Sequence, residues 1–157
     1  MKPCCSLVFV LFLVFAPSAY ASDASLRENY AEGRRFMQEG KWTKALEYLK
    51  PLEKTYLLLG DYILSDIAAC YDKSGFVDEA KDSLRKIINN YKISPVYRKA
   101  YRKLLEIGKG GDVTTALSDY DYYLKEFPHD SAALWDKTDL LVKMGKRDEV
   151  SALWREL

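Results

Sequence analysis

The sequence carries one histidine, His129, in a Pro128-His129-Asp130 turn, and three cysteines, Cys4, Cys5 and Cys70. Hydrolysis or group transfer would need a nucleophile beside its base, a poised carboxylate pair or a metal cage. A lone turn histidine with its neighbouring aspartate pointing elsewhere supplies none of these, so His129 reads as an exposed turn residue. Cys70, between Ala69 and Tyr71 on a stretch rich in small residues, reads as a packing thiol and not as a nucleophile. Asp119 with Asp121, and Asp136 with Asp139, fall on helical stretches with lysines nearby and read as solvated faces. Gly108-Lys109-Gly110-Gly111 has the glycines of a phosphate-cradling loop but not the strand before it or the Gly-Lys-Ser/Thr order. The expectation is a protein without catalytic residues, metal site or cofactor.

Residue types suited to recognition are more orderly. Tyr30, Ser65, Tyr101 and Trp135 each stand ten positions before a glycine, namely Gly40, Gly75, Gly111 and Gly145. Arg27, Arg34, Tyr62, Lys73, Arg98, Lys109, Asp139 and Lys143 fall at adjacent positions, a mixed but mainly basic set. Rigid aromatic rings and arginines are the anchors of peptide or glycan recognition. Tyr30, Arg34, Tyr62, Arg98, Tyr101 and Trp135 are therefore the expected lining of a binding groove. The competing reading makes Tyr30, Tyr101 and Trp135 ordinary packing between repeats, because tyrosine and tryptophan are often partly buried.

The elements that must position this stripe follow from the glycines themselves. They are spaced by 35, 36 and 34 residues, and each is followed five positions later by a small or modest residue, Ala45, Ala80, Ala116 or Val150. A period of about 34 residues marks stacked helix-turn-helix units of the tetratricopeptide kind, none of which can bury its apolar face alone. The fold expected is all-α, a right-handed α-solenoid of about four hairpins, with helices near 24–39, 42–56, 61–73, 77–91, 96–107, 113–126, 131–144 and 147–157. The turn glycines should adopt left-handed backbone, and the small residue five positions on should let the second helix cross closely. Leu49 and Leu52, Leu84 and Ile87, Tyr120 and Tyr123, and Trp154 and Leu157 supply the faces turned to neighbouring units. Pro95 and Pro128 separate hairpins, with Asp130 or Ser131 as helix cap. Pro51 should kink its helix near Lys50, and the Gly108–Gly111 turn should be pliable.

Lys2, the apolar run from Leu7 to Ala16 and Ala19-Tyr20-Ala21 have the order of a secretory signal peptide, with cleavage expected after Ala21. The run is well short of the roughly 20 apolar residues that span a bilayer, so no stable membrane insertion is expected after cleavage. Cys4 and Cys5 would leave with it. Removing 21 of 157 residues leaves 136, enough for one domain, with Cys70 as its only cysteine and no disulfide. Loss of Lys2 takes the net charge from +1 to 0, with both signs interleaved, which argues against nucleic acid as a partner. The domains are thus residues 1–21, a signal peptide, and 22–157, a solenoid. Leu153, Trp154 and Leu157 would give the last helix an apolar, uncapped outer edge.

Several stretches resemble the helical N-terminal superhelix of soluble lytic murein transglycosylases. They are Gly60-Asp61-Tyr62-Ile63-Leu64 leading to Ala68-Ala69 and Tyr71, Ser94-Pro95-Val96-Tyr97 before Lys99-Ala100-Tyr101, and Phe127-Pro128-His129-Asp130 running into Ala133-Leu134-Trp135. The resemblance spans most of residues 24 to 157 and implies a periplasmic, cell-wall-facing helical superstructure. The sequence has no lysozyme-like domain, and the family's Glu-Ser dipeptide is absent, so no catalytic glutamate carries over.

The first reading is a non-enzymatic periplasmic or secreted adaptor that binds a protein or peptide partner. The second is the glycan-positioning part of a transglycosylase, acting on peptidoglycan with a catalytic partner. A third is self-association through the uncapped last helix.

Overall fold

The structure, a computed structural model, describes residues 23–155. The expected signal peptide and Leu157 lie outside them. Eight α-helices and no strands occur among the described residues: α1 (Asp23–Gln38), α2 (Trp42–Thr55), α3 (Gly60–Lys73), α4 (Val77–Asn90), α5 (Tyr97–Gly108), α6 (Val113–Glu126), α7 (Ser131–Lys143) and α8 (Arg147–Arg155). Each packs against the helices beside it in sequence, and α1 also reaches α3, the first helix of the next hairpin. This is an α-solenoid of four hairpins.

Three of the hairpin turns have the expected chemistry. Gly40, Gly75 and Gly145 have φ of 71°, 81° and 73°, the left-handed region where a side chain is strained. Around each, two N–H groups return to the final turn of the helix. At the first turn these are Gly40 N–H to the Met37 carbonyl at 3.0 Å and Lys41 N–H to the Phe36 carbonyl at 2.9 Å. That pair satisfies carbonyls which the helix itself leaves open.

Gly111 departs from the expectation, for it is absent from the left-handed glycines. The α5–α6 connection is longer, closed by Gly111 N–H to the Gly108 carbonyl at 3.0 Å, and Asp112 then caps α6 by accepting from Thr115 N–H at 2.7 Å. With extra residues to turn in, no left-handed residue is required.

Pro51 does not end α2, which runs on to Thr55. Proline removes the N–H that would have met Glu47, but its own carbonyl accepts from Thr55 Oγ1 at 2.9 Å.

The core has two parts, and α3 belongs to both. Ile63, Ile67 and Cys70 join Phe36, Leu46, Leu49 and Leu52 of the first hairpin. Leu64 and Ala68, one residue round the same helix, join Leu84, Ile87, Leu104, Tyr120 and Tyr123 of the following ones. Ala45, Ala80 and Ala116 are all buried, as close crossing of the paired helices demands.

The third and fourth hairpins are also joined by a polar clamp. Asp130 caps α7, accepting from Ala133 N–H at 3.1 Å, and accepts from Tyr123 Oη at 2.6 Å, Arg98 at 3.0 Å and Arg102 at 2.6 Å. Burial alone would raise its carboxyl, but these donors and the two guanidinium charges outweigh it and hold it at about 2. A carboxylate depressed in the fold contributes stability above its ordinary range near 4, and that contribution is lost as pH falls towards 2. Asp130→Ala should cost about 2–3 kcal/mol at neutral pH. Urea melts between pH 7 and pH 2 should show the difference from wild type shrinking as Asp130 protonates.

Candidate functional site

The first helices of the hairpins, α1, α3, α5 and α7, share the inner face of the solenoid, and three clefts open between them. Arg34, Met37, Gln38, Trp42, Ala69 and Lys73 line one of about 290 Å³ between α1 and α3. A second, of about 500 Å³ between α3 and α5, has small residues, Ser65, Ala68, Ala69 and Ala100, with Lys73, Lys99, Arg102 and Lys103 around them. The third, also about 500 Å³, lies between α5 and α7 and includes Arg98, Lys99, Arg102, Asp130 and Ala132. Ala69 and Lys73 belong to the first two clefts, Lys99 and Arg102 to the last two. The three therefore form one trough.

Much of the charge in the trough is already matched. Asp66 accepts from Tyr30 Oη at 2.9 Å and lies 3.8 Å from Arg34 Nε. Burial raises its carboxyl, opposed by the Tyr30 hydrogen bond and by the charges of Arg34 and Lys99. Lys103 Nζ lies 3.0 Å from Asp72 and 3.2 Å from Glu106. Arg98 and Arg102 are held by Asp130. Lys73 and Lys99 form no ion pair among the described residues. They are the cations the trough leaves for a ligand.

The expected site residues divide accordingly. Arg34 and Arg98 line the trough, Arg34 with its guanidinium 5.9 Å from the Tyr30 ring centroid and Arg98 5.1 Å from that of Phe127. Tyr30 is half-buried with its hydroxyl committed to Asp66. Tyr62 is exposed at the start of α3 and lines none of the three clefts.

Tyr101 is a correction. It is 8% exposed and stands edge-on to Tyr97 and Tyr123, with ring centroids 6.1 and 5.1 Å away. It fills the space between α5 and α6 of its own hairpin, where the packing reading prevails, and burial pushes its hydroxyl up to about 12. Trp135 is 63% exposed but tilted against Trp154, centroids 5.0 Å apart. Tyr30 reaches Asp66 of the following hairpin, whereas Tyr101 and Trp135 meet rings of their own hairpins, and how deeply each is covered depends on that partner.

Apart from Lys73, the other basic positions are also spoken for. Arg27 pairs with Asp23 at 2.5 Å, Lys109 with Asp136 at 2.5 Å and Lys143 with Asp139 at 2.7 Å. Asp66 and Arg102 went unrecognised in the sequence. One position after the aromatic stripe stand Ala31, Asp66, Arg102 and Asp136, three of them charged, which was the available signal. Lys99 has no such pattern, since of its counterparts Glu28 is exposed and acidic while Ile63 and Ala133 are buried.

Cys70 is fully buried in the first core, and burial followed by the nearby Asp66 charge raises its thiol to about 11. That matches a packing thiol. Among the described residues no cluster of histidine, cysteine and acidic side chains could hold a metal ion.

The hairpin stacking has close counterparts among solved structures. A tetratricopeptide repeat protein from Parabacteroides merdae superposes with a TM-score of 0.72 over 85% of this chain at 18% identity. The fold is a tetratricopeptide-repeat solenoid. This chain matches 52% of that protein's length, about half. MamA gives a TM-score of 0.63 at 20% identity, covering 86% of this chain and 77% of MamA. Nearly identical TPR-like repeats from a Podosopora anserina protein assigned as a kinesin light chain give 0.64 at 17% identity, covering 85% of this chain and 73% of theirs. No protein-family model matches the sequence, and no curated protein does. The resemblance to transglycosylase superhelices thus gains no support from these comparisons, which bear on the solenoid alone.

The two aromatic positions separate packing from recognition. Tyr101→Ala should destabilise the tetratricopeptide solenoid by about 3–5 kcal/mol, as removal of a buried ring does, and Trp135→Ala by about 1 kcal/mol or less. Urea denaturation of the two variants measures both.

Proposed function

We propose that this protein is a non-enzymatic scaffold that holds an extended, acidic segment of a partner protein along its inner trough. The carrying observation is the trough itself, with small side chains that let a peptide backbone approach and two lysines, Lys73 and Lys99, left without ion pairs. A partner's carboxylates would complete the charge matching that Asp66, Asp72 and Asp130 begin for the other cations. The fixed ion pairs hold Arg34, Arg102 and Lys103 in place before any partner arrives, which lowers the ordering cost of binding.

A neutral glycan strand fits this surface less well. Sugar recognition favours open aromatic faces, whereas Tyr101 is buried, Tyr30 and Trp42 are half-buried, and the exposed rings of Tyr62 and Trp135 line none of the three clefts. The role beside a transglycosylase therefore ranks second. The charged, apolar and small-residue order of residues 1–21 supports action outside the cytoplasm, in the periplasm or as a secreted protein.

Fluorescence anisotropy with acidic, neutral and basic extended peptides, and with murein fragments, tests the reading. Acidic peptides should bind best and lose affinity with added salt. The double variant Lys73→Glu, Lys99→Glu should weaken them by about tenfold or more. Indifference to peptide charge, or preference for murein fragments, would overturn the acidic-peptide assignment. For location, mass spectrometry of the exported protein should find an N-terminus at Ser22, and an intact Met1 would reject processing.

A further inference from the structure

A second surface lies away from the trough, on the edge where each hairpin joins the next. The α2–α3 junction is a 3-10 turn, Leu57–Leu59, in which Leu57 is 68% and Leu58 79% exposed. At the next junction, between α4 and α5, Ile93 is fully exposed. The two junctions are fastened together. Ser94 Oγ donates to Asp61 Oδ2 at 2.5 Å, and the Tyr91 hydroxyl lies against Gly60 where any Cβ would collide with it. Three large aliphatic side chains thus protrude from adjacent, mutually braced turns, and none lines a cleft of the trough.

The charges of the same edge are arranged asymmetrically. Its acids are matched by partners: Asp61 accepts from Ser94, Asp23 pairs with Arg27, Glu53 pairs with Lys86 at 2.6 Å, and Glu126 accepts from Tyr97 Oη. Lys54, in the last turn of α2, and Lys92, beside Ile93, are exposed and form no ion pair among the described residues. What this edge offers outward is aliphatic tips with free lysines at their base.

We infer that this edge docks on an anionic lipid surface, with Leu57, Leu58 and Ile93 entering the headgroup region and Lys54 and Lys92 meeting the lipid charges. Protruding tips suit a soft interface, because a folded protein partner would need a concavity to receive each one, whereas lipid closes around any shape. Lysine beside exposed aliphatic side chains is the pairing that adds electrostatic attraction to apolar burial at a bilayer. The position of α1 agrees. Its first turn lies on this edge, since Leu26 packs into the same core as Tyr56 and Leu59 of the α2–α3 junction. The apolar run that ends at Ala16 is only seven residues from Asp23, a reach of about 25 Å at most.

The chain from Ser22, the expected mature form, is the one to test, without the apolar run. Sedimentation with vesicles of phosphatidylcholine, with and without phosphatidylglycerol, should show binding that requires the anionic lipid. Leu58→Ser with Ile93→Ser should reduce it about tenfold or more, and Lys54→Gln with Lys92→Gln several-fold, with the dependence on phosphatidylglycerol weakened. These side chains are exposed, so the far-ultraviolet circular dichroism should be unchanged. As an independent readout, Ile93→Cys carrying an environment-sensitive fluorophore should shift to the blue on anionic vesicles. The buried Cys70 should remain unlabelled. Absence of vesicle binding, equal binding by the Leu58→Ser, Ile93→Ser variant, or an unshifted fluorophore would overturn the inference. So would a concentration-dependent dimer that this variant abolishes without any vesicle binding, which would make the edge a contact between copies. Lys73→Gln with Lys99→Gln, in the trough, should weaken vesicle binding far less than the charge-matched Lys54→Gln with Lys92→Gln, so the two surfaces fail or succeed separately.

Discussion

Helix α3 has to satisfy two cores at once, and the rest of the solenoid depends on it. Ile63, Ile67 and Cys70 form one apolar stripe and Leu64 and Ala68 another, offset by a single residue and hence by about 100° around the helix. A helix with one stripe would end the stack. With two, the first hairpin becomes the wall against which the following hairpins build. The remaining, solvent-facing arc of the helix contributes Ser65, Asp66, Ala69 and Lys73 to the trough. Packing and recognition are therefore decided on the same fourteen residues, and the helix can shift neither stripe without moving the trough.

The repeat was legible because its signals are local. A glycine that must turn left-handed and an alanine that must admit a crossing helix are single-residue demands, and they recur at a spacing that only stacked hairpins explain. Helix ends came within one or two residues for the same reason, as did the cap at Asp130. The inner surface was less legible because it depends on which partner each side chain meets on the helix packed against it. Tyr30, Tyr101 and Trp135 occupy one repeat position, yet one reaches Asp66, one is enclosed by Tyr97 and Tyr123, and one leans on Trp154. Nothing in the residues themselves separates these outcomes. Lys99 is the extreme case, since its counterparts in other repeats are an exposed acid, Glu28, and two buried apolar residues, Ile63 and Ala133.

The trough also shows how a solenoid keeps a charged inner face without sacrificing order. Most of its cations are tied to acids on a neighbouring helix, Lys103 to Asp72 and Arg98 and Arg102 to Asp130. Exposed pairs of this kind add little to stability singly, but they restrict long side chains. The Asp130 cluster goes further, because there the same carboxylate serves as helix cap, acceptor for a buried tyrosine and bridge between hairpins.

Contacts that run only between helices adjacent in the chain, or one hairpin apart, have a mechanical meaning. Tension applied at the two ends has no shortcut through the molecule and must pass through each seam in turn. The chain should behave as a short spring, lengthening by small rotations at successive hairpins. Its softest coil is expected at the long Gly108–Gly111 turn, where no left-handed glycine fixes the angle between α5 and α6.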